Sequence, residues 1–232
     1  MTPKAIIFDL DGTLVDTVED IAVALNKTLG DLQLPPHTTT AVRAMVGGGL
    51  GKLLDRATQV HGVALERTER SVMLKRLLHH YAAAPANLSK LYPGAKETLI
   101  ALSEQGIPSG LCTNKPHDIS RDLLDAIGLS DHFAHIQGAV DGLPKKPDPA
   151  MLNRVTEALR VGPSAAIMVG DSLVDVKTAR AANLAGVIVV SHGYSVTPVN
   201  ELGADAVIHS FEELPGAIAG VFAREAQPLT LP

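Results

Sequence analysis

The first apolar run constrains this chain more than any other feature. Lys4-Ala5-Ile6-Ile7-Phe8-Asp9 places consecutive apolar residues, with no polar alternation, directly before an acid. A strand with one wet face alternates polar and apolar side chains, so an unbroken run reads as a strand covered on both faces. Such strands belong to parallel sheets flanked by helices. Comparable runs recur at 108–113, 165–171 and 185–190, with weaker ones at 135–139 and 205–209. Helical patterns fill the gaps at 93–105, 118–127, 149–159 and 173–182; the first two close on Gly106 and Gly128. Asn183 stands where the last of them needs a left-handed residue. The alternation predicts an α/β fold with a doubly wound, mainly parallel, Rossmann-like sheet.

The stretch 16–88 breaks the rhythm. Val18, Ile21, Ala22, Leu25 and Leu29 share one helical face, and 40–46, 50–60 and 67–84 also read as helix. Roughly 70 helical residues far exceed what a crossover needs. The expected organisation is therefore a core of 1–15 and 89–225, an all-helical cap of 16–88 inserted after the first strand, and a frayed tail at 226–232. The expected hinges are 14–16 and 86–89.

Composition removes several classes. Aromatic residues are 3% of the chain and Trp is absent, which argues against stacking platforms for single-stranded nucleic acid. A net charge of −5 leaves no footprint for a polyanion. One cysteine, Cys112, excludes an intramolecular disulfide framework and a thiolate cluster, and it is expected to be buried. No apolar run reaches about 18 residues, so no membrane span is expected, and the opening is too short for a signal-peptide core. The expectation is a cytoplasmic protein, a monomer or homodimer, with no nucleic-acid or membrane partner.

Acids and donors sit where such a sheet would use them. In a parallel sheet, ligands bind beyond the carboxyl ends of the strands. Asp9 closes the first strand and Asp11 follows in its loop, with Gly12 permitting a tight turn. Two carboxylates so close need a cation between them or a shared proton, and a carboxylate can also be a nucleophile. Thr113 and Asn114 close the second core strand and can hold phosphate oxygens or cap a helix. Lys146 precedes Pro147-Asp148-Pro149 and is a point charge suited to phosphate, or a solvated loop charge. Asp171 and Asp175 sit one turn apart at a helix start, as dipole-stabilised caps or cation ligands. Together they make up a kit for phosphoryl transfer with a divalent cation. His132 and His135 have a metal-like spacing but no third partner in the sequence.

Asp9-Leu10-Asp11-Gly12-Thr13, Thr113, Lys146 and Gly170-Asp171 with Asp175 resemble the four motifs of the haloacid dehalogenase-like hydrolases. Within that superfamily, the runs from Phe8 to Thr17, Thr113 to Pro116 and Lys146 to Pro149 are similar to those of phosphoglycolate phosphatases. The resemblance implies a Mg²⁺-dependent hydrolysis of a small phosphorylated metabolite, 2-phosphoglycolate above all. Asp9 would be the nucleophile and Asp11 the acid and base. Mg²⁺ would be held by the Asp9 side chain, the Asp11 main-chain carbonyl and Asp171. Thr113, Lys146 and Asn114 would contact phosphate, and Asp175 would support from behind. In the cap, the Gly47–Gly51 run resembles a specificity loop, and Arg43 or Lys52 is a candidate for a substrate carboxylate. Pyrophosphate or another small phosphoester is the alternative substrate. A receiver-like phosphoacceptor domain is the alternative class, disfavoured by the helical insert and the position of Asp9 near the start.

Overall fold

The computed structural model describes residues 3–84 and 86–225; the tail expected at 226–232 lies outside them. The first elements are β1 (Ala5–Phe8), β2 (Val15–Asp16), α1 (Val18–Asp31), α2 (Thr39–Arg43), α3 (Leu50–Val60), α4 (Arg67–Ala82) and β3 (Lys90–Leu91). Then follow α5 (Ala95–Glu104), β4 (Ser109–Pro116), α6 (His117–Ala126), β5 (His135–Ala139), α7 (Ala150–Ala158), β6 (Ala166–Gly170), α8 (Leu173–Ala181), β7 (Gly186–Val190), β8 (Ala206–Ile208) and α9 (Leu214–Glu225).

Six parallel strands form one sheet in the order β5-β4-β1-β6-β7-β8. The doubly covered reading of β1 holds residue by residue. Ile6 and Phe8 enter an apolar layer with Leu99 of α5, Leu123 of α6 and Phe222 of α9. Ala5 and Ile7 enter the opposite layer with Leu152 of α7 and Ala179 of α8. The chain runs from β1 to β4 on one side and returns to β6 on the other, which opens a crevice at the carboxyl end of β1.

The helices α1 to α4 pack around their own apolar cluster, including Leu25, Leu29, Leu54 and Leu77, over the carboxyl end of the sheet. Both crossings into this layer are tied together. Val15 pairs with Leu91 and Asp16 with Lys90 in a two-stranded antiparallel ribbon, at and just beyond the segments expected as hinges. Asp20 adds a clasp: its carboxylate accepts from the main-chain N–H groups of Leu88 and Ser89 and from the Ser89 hydroxyl.

Boundaries shift for local reasons. α5 starts at Ala95 because Gly94 is left-handed at φ 81°. α2 stops at Arg43 instead of 46, ahead of positive-φ glycines at Gly47 and Gly49. β4 runs on to Pro116, three residues beyond the expected end. Asn183 is left-handed at φ 54°, as the helix end requires, and Cys112 is fully buried.

Candidate active site

Parallel register brings the acids together. Phe8 of β1 pairs with Val169 of β6, and the Asp9 N–H donates to the Val169 carbonyl at 2.9 Å. Asp9 therefore stands beside Asp171, the residue that follows β6. Oxygens of Asp9, Asp171 and Asp175 lie within 4.8 Å of one another, all buried. Lys146, on the loop between β5 and α7, places Nζ 2.9 Å from Asp9 Oδ1 and 2.7 Å from Asp175 Oδ1. Asp175 is fixed from behind: its Oδ2 accepts from the Ser172 hydroxyl at 2.6 Å and from the Ser172 N–H at 3.1 Å, in a capping box at the start of α8.

Three carboxylates around one ammonium leave a buried surplus of negative charge. Burial raises the Asp9 carboxyl to about 6, with Asp175 and Asp11 pushing the same way against Lys146. Burial, then Asp175 and Asp9, push Asp171 well above the usual carboxylate range. Burial works against the Lys146 ammonium, yet Asp175 and Asp9 outweigh it and hold it above its ordinary range. An all-oxygen cluster short of positive charge fits a hard divalent cation.

Glycines make room for Asp171. Gly12, at φ 81°, would place a Cβ 2.5 Å from Asp171 Oδ2, and Gly193 would place one 2.2 Å from Asp171 Cβ. On the cap side, Gly49 takes φ 83° and lies against the Asn114 carbonyl, so the glycine run touches the core at the site.

Asp9, Asp171, Asp175, Lys146 and Gly49 line a cavity of about 320 Å³, together with Asp11, Thr113, Asn114, Lys115, Lys52 and Arg56. Thr113 lies at the cavity wall, its hydroxyl accepting from the Lys115 N–H at 3.3 Å. Asn114 donates through Nδ2 to the Lys146 carbonyl at 3.0 Å, so its amide steadies the Lys146 segment. The Asp11 side chain stands apart from the acid cluster; its Oδ1 accepts from the Thr17 hydroxyl at 2.7 Å and from Lys115 Nζ at 2.9 Å.

Arg43 does not line the cavity. It pairs with Asp16 at 2.8 Å and lies 4.8 Å from the centre of the Tyr194 ring, at the ribbon that ties the cap to the core. Lys52 does line it, as expected, and Arg56 joins it. Sequence reasoning missed Lys115, Tyr81, Tyr194 and Arg56. Scarcity was an available signal: the chain has three tyrosines, and Tyr81, Tyr92 and Tyr194 all gather near the site and the ribbon.

The family model for haloacid dehalogenase-like hydrolase matches residues 6–189. The chain belongs to the haloacid dehalogenase-like hydrolases. Among relatives in this family, a phosphoglycolate phosphatase of Rhodospirillum rubrum is 44% identical over 216 residues, covering 91% of this chain and 89% of the relative. Another from Caulobacter vibrioides is 42% identical, with 91% and 89% covered. A crystal structure described as a predicted phosphoglycolate phosphatase from Haemophilus somnus superposes with a TM-score of 0.85 at 30% identity, covering 93% of this chain and 98% of that one. The capped, six-stranded parallel fold is thus that of hydrolases of this family. Among the described residues, no helix is long and apolar enough to cross a membrane.

Proposed function

We propose that this phosphatase hydrolyses 2-phosphoglycolate to glycolate and phosphate, with Mg²⁺ and through an aspartyl phosphate on Asp9. The observation that carries the reading is the convergence of Asp9, Lys146 and Thr113 on one small cavity beside a second, separately held acid, Asp11. The relatives' names supply the substrate.

In this reading Asp9 attacks phosphorus and displaces the alkoxide. Asp11 gives the alkoxide a proton, then takes one from the water that cleaves the acyl phosphate. Lys146 and Thr113 hold the phosphoryl oxygens, Asn114 steadies Lys146 from its main chain, and Asp175 aims the Lys146 ammonium. Asp9, Asp171 and the Asp11 carbonyl would hold Mg²⁺, which offsets the charge between the attacking carboxylate and the phosphoryl group. The core, 1–15 and 89–225, carries these groups, and the cap, 16–88, selects the substrate. A cavity of about 320 Å³ is at the small end for ligand sites and suits a compact dianion. Its cap-side cations, Lys52 and Arg56, are the groups we assign to the substrate carboxylate.

The test is phosphate release with Mg²⁺ from 2-phosphoglycolate, pyrophosphate and an aryl phosphate. The reading expects many turnovers and a kcat/KM at least about tenfold higher for 2-phosphoglycolate, the worth of one charged hydrogen bond. A preference for pyrophosphate would replace the substrate. A single stoichiometric dephosphorylation would replace the class.

A further inference from the structure

Lys115 is a buried cation that the chemistry above does not use. It lies within β4, beside the site, with its side chain 1% exposed. Its Nζ donates to Asp11 Oδ1 at 2.9 Å and to the hydroxyl of Tyr81, and it lies 4.3 Å from the centre of the Tyr81 ring. Tyr81 belongs to α4 of the cap and is itself 1% exposed. Asp11 belongs to the core. One ammonium thus joins the acid of the core to a helix of the cap.

The bonds on Asp11 are lopsided. Lys115 and Thr17 both donate to Oδ1, whereas among the described residues Oδ2 accepts no hydrogen bond. Two donors on one oxygen restrain the carboxylate of a residue that lines the cavity and leave its other oxygen without a donor among the described residues. Proton transfer demands such fixing, because a carboxylate that rotates away from the leaving oxygen is a donor in the wrong place. Tyr81 supplies the ammonium's second contact, and that contact needs the cap to be seated.

We propose that Lys115 is a positioning residue that orients the Asp11 carboxylate and, through Tyr81, makes that orientation depend on the seated cap. The proposal rests on the reading that Asp11 moves protons. It predicts unequal damage to the two half-reactions. Nitrophenolate leaves without a proton, so formation of the aspartyl phosphate from p-nitrophenyl phosphate needs little from Asp11. Glycolate leaves as an alkoxide and needs the proton, and hydrolysis of the aspartyl phosphate needs the base in either case.

The experiment is stopped-flow and steady-state kinetics of Lys115→Met, Lys115→Arg and Tyr81→Phe, each checked by circular dichroism. Lys115→Met is expected to lower kcat for 2-phosphoglycolate by about 10²-fold, at the lower end of general acid–base effects, with KM changed less than threefold. With p-nitrophenyl phosphate it should keep a rapid burst of about one nitrophenolate per active site, followed by a slowed steady state. Lys115→Arg, which keeps the charge, should recover part of kcat. Tyr81→Phe, which leaves Asp11 and Lys115 in place, should show the same pattern at about three- to tenfold.

Loss of the burst together with the steady state would overturn the proposal, since the damage would then extend to Asp9. A rise in KM for 2-phosphoglycolate alone would also overturn it, making Lys115 a substrate contact. Should Lys115→Met fail to fold, unchanged kinetics in Tyr81→Phe would overturn the coupling by itself. Absence of turnover in the unmodified protein would instead defeat the phosphatase reading.

Discussion

The main-chain N–H of Tyr194 donates to Asp171 Oδ2 at 2.6 Å, so the loop after β7 is bonded directly to the acid cluster. The hydroxyl of the same tyrosine accepts from the Thr17 N–H at 2.7 Å and donates to Asp16 at 2.8 Å, at the foot of the cap. One residue therefore touches both the acid cluster and the ribbon, through different atoms. Tyr194→Phe should remove only the second function. It should cost about 1–3 kcal/mol, from groups left unpaired, and lower Tm by several degrees. Titration calorimetry should find Mg²⁺ affinity within threefold of the original. A tenfold loss of affinity would mean that the hydroxyl shapes the acid cluster as well.

Gly193→Ala should do the reverse. Its Cβ would lie 2.4 Å from Asp171 Oδ2, so the carboxylate must move. Mg²⁺ affinity should fall about 10–100-fold, as for other groups that orient ligands. Gly216, with open space around it, is the control, and Gly216→Ala should leave affinity unchanged.

Asp9→Asn should abolish turnover while the fold survives. The amide is nearly isosteric but a far poorer nucleophile, and a loss of at least about 10³-fold is expected. Assays with 2-phosphoglycolate and p-nitrophenyl phosphate should agree. Activity above a tenth of the original would remove Asp9 from its role.

The acids set a pH dependence for the metal-free protein. The Asp9 carboxyl lies near 6 when folded, above its ordinary 3.8, so between these values the folded state binds more protons than the unfolded one. Stability contributed by this group is present at low pH and is lost as pH rises through about 6. Mg²⁺ competes with those protons. Thermal melts should therefore show a larger Tm gain from Mg²⁺ at pH 7.5 than at pH 5. An equal gain at both would separate Asp9 from the metal.

The cap cations should divide by position. Lys52→Ala or Arg56→Ala should lower kcat/KM for 2-phosphoglycolate about 10–150-fold, the range for a charged hydrogen bond, and leave an aryl phosphate within threefold. Arg43→Ala should affect both substrates alike, because its partner is Asp16 at the ribbon. A selective effect from Arg43 would return it to the substrate.

The sheet was legible because β1, β6 and β7 are buried on both faces, and a short unbroken apolar run suits a doubly covered strand better than a half-wet one. Asp9, Asp171 and Lys146 were legible because carboxyl ends of parallel strands converge whatever the loops do. Lys115 was not, since a lysine after Thr113 and Asn114 reads as ordinary loop chemistry until the strand is seen to continue through Pro116. Arg43 was misplaced for a related reason. Its charge is visible in the sequence, but its direction depends on where α2 ends relative to Asp16, and that is set by tertiary packing.

The central place of β1 has a consequence for how the chain emerges during synthesis. Its two neighbours, β4 and β6, begin at Ser109 and Ala166, so the first strand made must wait for both before its ladders close. The helices between Val18 and Ala82 need no such delay, because their apolar cluster is built mostly from their own residues. A nascent chain can thus fold the helical layer while β1, the strand that leads into Asp9, is still unpaired. The short ribbon of Val15 and Asp16 with Lys90 and Leu91 then closes the insert before the sheet is complete, shortening the effective loop that β1 must bridge to reach β4.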